Sequence, residues 1–257
     1  MLESEFREAV QGLPFARAEY FSSVSSTNDV ISGWAKEGIR GLCIAYGDEQ
    51  TKGRGRDGRS WFTPPGSALA FSLLMNIDSP VETNLLGLFA GLGALAVCEA
   101  VEALYSLKPT IKWPNDVLLE GKKVCGVLAE IQWCGEELQA IILGIGINVA
   151  AGSVPGIEDL AFPASCIEEV LGMKVDPGKL LQGILENLIA WKSRMNEAEF
   201  VESWEERLAY KGKQVRLVGS NIVEGRILGL ARDGRLRLQL LSGEETQVTM
   251  GEIQIRP

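Results

Sequence analysis

The chain has 257 residues, 46% of them hydrophobic, and carries 25 Lys and Arg against 34 Asp and Glu for a formal charge of −9. That length can bury a full core and leaves room for one large domain with a small one beside it. The acidic balance argues against a molecule drawn as a whole to nucleic acid or to an anionic membrane, and the lack of any histidine removes every scheme built on imidazole.

Five cysteines, Cys43, Cys98, Cys125, Cys134 and Cys166, lack C-x-x-C spacing and sit mostly in apolar surroundings. Buried thiols in a reducing compartment are expected, with no disulfide framework and no zinc site. The opening "MLESEFREAV" has acids where a secretory signal carries a basic flank and an apolar stretch, so a cytoplasmic protein is expected.

In "SSTNDVISGWAKEG" capping residues precede Val30, Ile31 and Trp34 at helical spacing, which predicts a helix from about Ser26 to Asn28 onward. "GLCIAYG" and "SALAFSLLMNI" read as buried strands on either side of a glycine-arginine loop. The longest uncharged run, Thr83 to Cys98, is too short for a membrane span and carries Gly87, Gly91 and Gly93. It belongs to a long buried helix over "NLLGLFAGLGALAVCEAVEAL". "TIKWPNDVLLEGKKVCGVLAEIQW" gives a strand, a proline break and two strands joined at Glu120-Gly121-Lys122, and "LQAIILGIGINVA" adds another. Helices follow from about Asp176, with Pro177 suited to a first turn, to about Tyr210. Beyond Tyr210 short β-prone runs alternate with turns, so five strands of a small barrel are expected. The boundary falls between a domain of residues 1–210 and one of 211–257.

Gly53, Gly55 and Gly58 in "GRGRDGR" have the G-x-G-x-x-G spacing of a dinucleotide turn. That mechanism needs a strand entering the first glycine and a helix leaving the last. Residues Gly47 to Lys52 separate the strand from Gly53, and Pro64 and Pro65 forbid the helix. With Lys52, Arg54, Arg56 and Arg59 the loop reads instead as an anion clamp, or else as a solvated surface loop. "KWPND", Lys112 to Asp116, sets a cation and a carboxylate close enough to hold opposite ends of a magnesium-triphosphate group, although a surface turn with a core tryptophan fits the spacing equally. "KKVCG" puts Lys123 three residues before Gly126, where a ligand could lie on bare backbone. "GIGIN", Gly144 to Asn148, is explained most simply by a tight strand crossing.

In the order SSTN, GRGRDGRSWFTPPG, KWPND, KKVCG, GIGIN and a terminal β module, these pieces resemble the biotin protein ligases, also called holocarboxylase synthetases. The resemblance runs from about Tyr20 to the end. It implies an α+β catalytic domain akin to class II aminoacyl-tRNA synthetases followed by an SH3-like β-barrel. It also implies two-step chemistry: biotin and ATP, with Mg2+, give biotinyl-5′-AMP, and a lysine of a biotin carboxyl carrier protein then takes the biotin. By the same resemblance Ser26 and Thr27 contact the ureido ring with Gln50 and Gly53 nearby, and Gly126 lines the biotin floor. Arg54 and Arg56 hold carboxylate and phosphate, Lys123 bridges the two, and Trp61 packs on the adenine side. Lys112, Asn115 and Asn148 serve the nucleotide, and Asp116 orients the acceptor lysine or binds the metal.

Two departures stand out. About twenty residues precede SSTN, too few for the winged helix-turn-helix of repressor members, so no DNA partner is expected. Asp57 stands where some members carry a basic residue. No membrane partner is expected, and a homodimer is left open. The alternatives are a lipoate ligase on the same fold and a non-catalytic biotin sensor.

Overall fold

The computed structural model describes residues 1–76, 85–134, 137–156, 162–219 and 221–255. The element order begins with α1 (Glu3–Val10), β1 (Arg17–Phe21), α2 (Thr27–Lys36), β2 (Cys43–Gly47), β3 (Ala68–Asn76) and α3 (Leu85–Tyr105). It continues with β4 (Thr110–Lys112), β5 (Asp116–Leu119), β6 (Lys122–Cys134), β7 (Glu137–Asn148), α4 (Ile167–Leu171), α5 (Pro177–Lys192) and α6 (Ala198–Glu206). Five strands close the chain: β8 (Gln214–Val218), β9 (Ile222–Leu230), β10 (Leu236–Leu240), β11 (Glu245–Val248) and β12 (Glu252–Ile255). This is the mixed α+β class. α1, β1 and α4 are elements that the reading of the sequence above did not contain.

The large sheet has the order β1-β2-β3-β7-β6-β5-β4. β1 and β2 pair in parallel and the other neighbours antiparallel. Glu120 and Gly121 both have positive φ, 49° and 76°, as a two-residue turn between β5 and β6 requires. α3 lies on one face, packed against β6 and α5. It is long and apolar enough to cross a membrane by composition, yet it is largely buried in this position. Gly93 is there because a Cβ would stand 2.8 Å from Val127 Cγ1.

The other face changes character along its length, and this locates the site. Even-numbered residues of β7 face α2, where Ala140 and Ile142 join Ile31, Trp34 and Ala35 in a small apolar cluster. Farther along the same row come Gly144, Gly146 and Asn148, paired with Ser72, Ala70 and Ala68 of β3. Gly126 of β6 pairs with Gly146. Bulk is withdrawn from that half of the face, and the glycine-arginine loop crosses above it.

The terminal strands form an antiparallel sheet in the order β11-β10-β9-β8-β12. Its apolar residues, Val215, Leu217, Ile227, Leu236, Leu238 and Ile253 among them, belong to the same core as the large sheet and α3. Two tryptophans fasten it. Trp113 donates its indole N–H to the Gly234 carbonyl at 2.9 Å, and the Trp204 ring lies against Gly91 and Gly234.

Candidate active site

A cavity of about 790 Å³ opens between the glycine half of the sheet, the start of α2, the loop and the edge of the terminal sheet. Among its walls are Ser26, Thr27, Gln50, Arg54, Arg56, Trp61, Lys112, Asn115, Asp116, Lys123, Gly126 and Asn148. Gly53 is set back from it: a Cβ there would meet the Trp61 carbonyl, so this glycine lets the two limbs of the loop close. The loop is a short hairpin, with Trp61 N–H on the Gly53 carbonyl at 2.9 Å and Gly55 N–H on the Arg59 carbonyl at 2.7 Å. Asp57 sits at its tip with φ 55°.

One end of the cavity is neutral and polar. The Ser26 hydroxyl is not used to cap α2. Gln50 Oε1 accepts from Thr27 N–H at 2.9 Å, and Gln50 Nε2 donates to Thr63 at 3.2 Å. The other end is charged. Lys123 and Asp116 form an ion pair at 2.7 Å on neighbouring strands, with exposures of 23% and 15%. Lys112 is nearly buried, over the Phe162 ring at 4.1 Å and 3.8 Å from Glu252. Burial lowers its pKa, while Asp116 and Glu252 pull the other way.

Each arginine of the loop has a partner from a different element. Arg54 pairs with Asp29 of α2 and with Glu130 of β6. Arg56 donates to Asn115 Oδ1 at 2.9 Å, and Asn115 Nδ2 in turn donates to the Val127 carbonyl at 2.9 Å. Arg59 pairs with Glu252, the first residue of β12, and its hydrogen bond holds that carboxyl below the usual range against the raising effect of burial. Asn148 donates its amide to the Ser165 carbonyl at 3.1 Å.

The glycines of GIGIN have a different cause from a strand crossing. A Cβ on Gly146 would stand 2.8 Å from Cζ2 of Trp61 and closer still to Cε2 and Nε1. One on Gly144 would stand 3.1 Å from Asn28 Cγ and closer to its Oδ1. Each glycine thus admits one side chain from the layer above. Trp61 lies over Gly126 and Gly146 with its Nε1 buried and unpartnered. The Trp113 indole of KWPND is turned into the core at 1% exposure. Reasoning on the sequence assigned no site role to Asn28, Ser72, Glu130 and Glu252, and it read Arg59 only as one charge of the loop. Ser72 is the one polar residue before the terminal Asn76 in the apolar strand β3, and that was the available signal.

Among the described residues no cluster of three metal-ligating side chains occurs. Asp116 is a single carboxylate, which suits a Mg2+ that takes its remaining ligands from phosphate and water. Cys43, Cys98, Cys125 and Cys166 are buried free thiols, and burial raises the first three above their ordinary pKa. The side chain of Cys134 lies outside the described residues.

Residues 20–148 match the model of the biotin/lipoate A/B protein ligase family, and residues 211–256 match the biotin protein ligase C terminal domain. The chain is 35% identical over 65% of its length to a bifunctional ligase/repressor BirA of Bacillus spizizenii, a match that spans 50% of that relative. It is 30% identical to a biotin–[acetyl-CoA-carboxylase] ligase of Paracoccus denitrificans, over 81% of this chain and 88% of the relative. A structure of biotin protein ligase from Aquifex aeolicus in complex with biotin and ATP superposes with a TM-score of 0.81 at 32% identity, covering 94% of this chain and 99% of that one.

Proposed function

The chain belongs to the biotin/lipoate A/B protein ligase family, and from that premise we propose that it activates biotin with MgATP to biotinyl-5′-AMP and passes the biotinyl group to a lysine of a carboxylase carrier domain. The observation that carries this reading is the polarity of the cavity: a neutral hydrogen-bonding end at Ser26, Thr27 and Gln50, and a cationic end at Arg56, Lys112 and Lys123. Biotin is itself built that way, with an uncharged ureido ring at one end and a carboxylate at the other.

In the first step the biotin carboxylate attacks the α-phosphorus of ATP and pyrophosphate leaves. Two anions must be brought together, and their repulsion opposes the attack. Arg54, Arg56 and Lys123 supply positive charge from a loop and a strand that are already ordered by Asn115, Asp116 and Glu130. Fixed charges of this kind act by position and electrostatics. Asp116 holds Lys123 in place through their ion pair, and once Lys123 turns to phosphate, Asp116 is free for the metal or for the incoming amine. In the second step that lysine amine attacks the acyl carbon, its proton leaves, and AMP departs. No imidazole is needed.

Residues 1–210 carry every group named for the first step, and Glu252 of the last strand meets the cavity through Arg59 and Lys112, so we assign adenylation to that part and take 211–257 as its supporting module. The experiment is the intact mass of a biotin carrier domain incubated with the enzyme, biotin and MgATP. A gain of one biotinyl group is expected. Its absence, with lipoyl transfer in its place, favours the lipoate alternative. Biotin binding without pyrophosphate release favours a non-catalytic sensor.

A further inference from the structure

Beneath the neutral end of the cavity lies a chain of polar atoms whose protons can be counted. Four oxygens stand in a row: Gln50 Oε1, Thr27 Oγ1, Ser72 Oγ and Asn28 Oδ1. Their successive separations are 3.1, 2.7 and 2.5 Å. Three contacts therefore need three protons, but only the two hydroxyls bring one each. One contact must go without, and the ends of the row decide which.

At the far end the order is fixed by charge. Asn28 Nδ2 donates to Glu130 Oε2, and a carboxylate can only accept. The Asn28 amide is thereby oriented with its oxygen toward Ser72, so Ser72 must donate to it. Arg54 pairs with the same carboxylate. With its one proton committed, Ser72 can only accept from Thr27. At the near end Gln50 Oε1 already takes the Thr27 backbone N–H at 2.9 Å, and its contact with Thr27 Oγ1 is the longest of the three. The Thr27 proton goes to Ser72, and the lone pairs of Thr27 Oγ1 and Gln50 Oε1 are left facing the cavity.

We propose that Ser72, locked by Asn28 and Glu130, is a specificity-determining positioning residue: it fixes the Thr27 hydroxyl as an acceptor, so that the neutral end selects ligands presenting an N–H there. Ser72 touches no ligand itself. It is fully buried, on β3 directly across from Gly144, whose missing side chain lets the Asn28 amide descend to it. The inference rests on the reading of biotin as substrate, whose ureido ring offers two such N–H groups. A ligand with oxygen at that place would meet lone pair against lone pair, an unpaired buried contact that weakens its binding and discriminates strongly against it.

The test compares Kd values for biotin and for its two cyclic-carbamate analogues, each with one ring N–H replaced by oxygen, in the full-length protein. The unaltered protein should prefer biotin strongly over one of the two. Ser72→Ala removes the acceptor for the Thr27 proton, which is then divided between Gln50 Oε1 and the cavity, where it acts as a donor. The preference should fall roughly three- to tenfold, mostly because the carbamate gains. Ser72→Cys keeps the shape with a weaker acceptor and should fall between, which preserves the test if the alanine variant does not fold. An equal loss for all three ligands would mean a merely structural role and overturn the proposal, as would no change. Failure of the unaltered protein to bind biotin would instead refute the proposed substrate, a distinguishable result.

Discussion

Gly146→Ala tests the seat of Trp61. The added methyl carbon would stand 2.8 Å from Cζ2 of the indole and closer to Cε2 and Nε1, so the ring must back away by at least about 0.6 Å to reach ordinary contact. Gly146 is on a central strand paired on both sides and cannot yield. Trp61 is on the loop, and it is the loop that must lift. Overpacking of this kind costs about 1 to 3 kcal/mol where nothing relaxes, and a lifted loop lowers the cost by giving up the packing of the ring. Removing the ring first should abolish the conflict, so Trp61→Ala and Gly146→Ala should be strongly non-additive in a double-mutant cycle, by about 1 kcal/mol or more. The assay is urea denaturation of the four proteins, with trypsin cleavage after Arg54, Arg56 and Arg59 as a second readout of the lifted loop. Additive effects in both would show that the indole does not lie over Gly146, and the explanation of the GIGIN glycines would fall with it.

Arg56→Ala should slow adenylate formation by roughly ten- to a hundredfold, the value of about 1.5 to 3 kcal/mol for a charge-assisted bond, read as pyrophosphate release; normal release would refute the role given to the loop. Lys123→Ala should abolish adenylation and also lower stability by about 1 to 2 kcal/mol, because it strands a partly buried Asp116. Adding Asp116→Asn should restore the denaturation midpoint without the activity, and a midpoint unmoved by Lys123→Ala alone would count against the pair. Glu252, held below the usual carboxylate range chiefly by Arg59, contributes stability above its unfolded pKa and loses it as pH falls through the folded one. The advantage of the native protein over Glu252→Gln should therefore vanish in acid, and a gap that persists at low pH would argue that the carboxyl is protonated or unpaired in the fold.

The parts of the fold legible in the sequence are those dominated by local pattern. β3, α3, β6 and β7 are long apolar runs, and Glu120-Gly121 is a turn that only left-handed conformations satisfy. α1 and β1 escaped because they are short and half-buried, so neither shows an apolar run. In the candidate site the motifs were legible as groups of charge and glycine, and they line one cavity. What was not legible is which partner each group has. Arg59 meets Glu252 across 193 residues and Asn28 meets Glu130 across 102. Such pairs leave no periodicity behind. Lys123 stands across from Leu118 and yet pairs with the carboxylate of Asp116, beside a bulge between Val117 and Leu118 that shifts the β5–β6 register and that no local pattern announces.

These hidden partners change the physics of the loop. From sequence, four basic residues within Lys52 to Arg59 repel one another and call for an anion. In the folded chain Asp29, Glu130 and Glu252 already answer Arg54 and Arg59, and the Asn115 side-chain oxygen Oδ1 answers Arg56. The clamp is preloaded with the protein's own acceptors. An incoming carboxylate or phosphate must therefore compete with them, and its net gain is the difference between two sets of charge-assisted bonds, smaller than the bonds to ligand alone would suggest. The partners are not equal in this competition. Asn115 is neutral and is surrendered at the lowest electrostatic cost, which makes Arg56 the guanidinium readiest for phosphate. Arg54 faces two carboxylates, one of which also anchors Asn28, so turning it toward a ligand would weaken the lock on Ser72. Arg54 and the hydrogen-bond polarity beneath the neutral end are thus tied through one residue, Glu130.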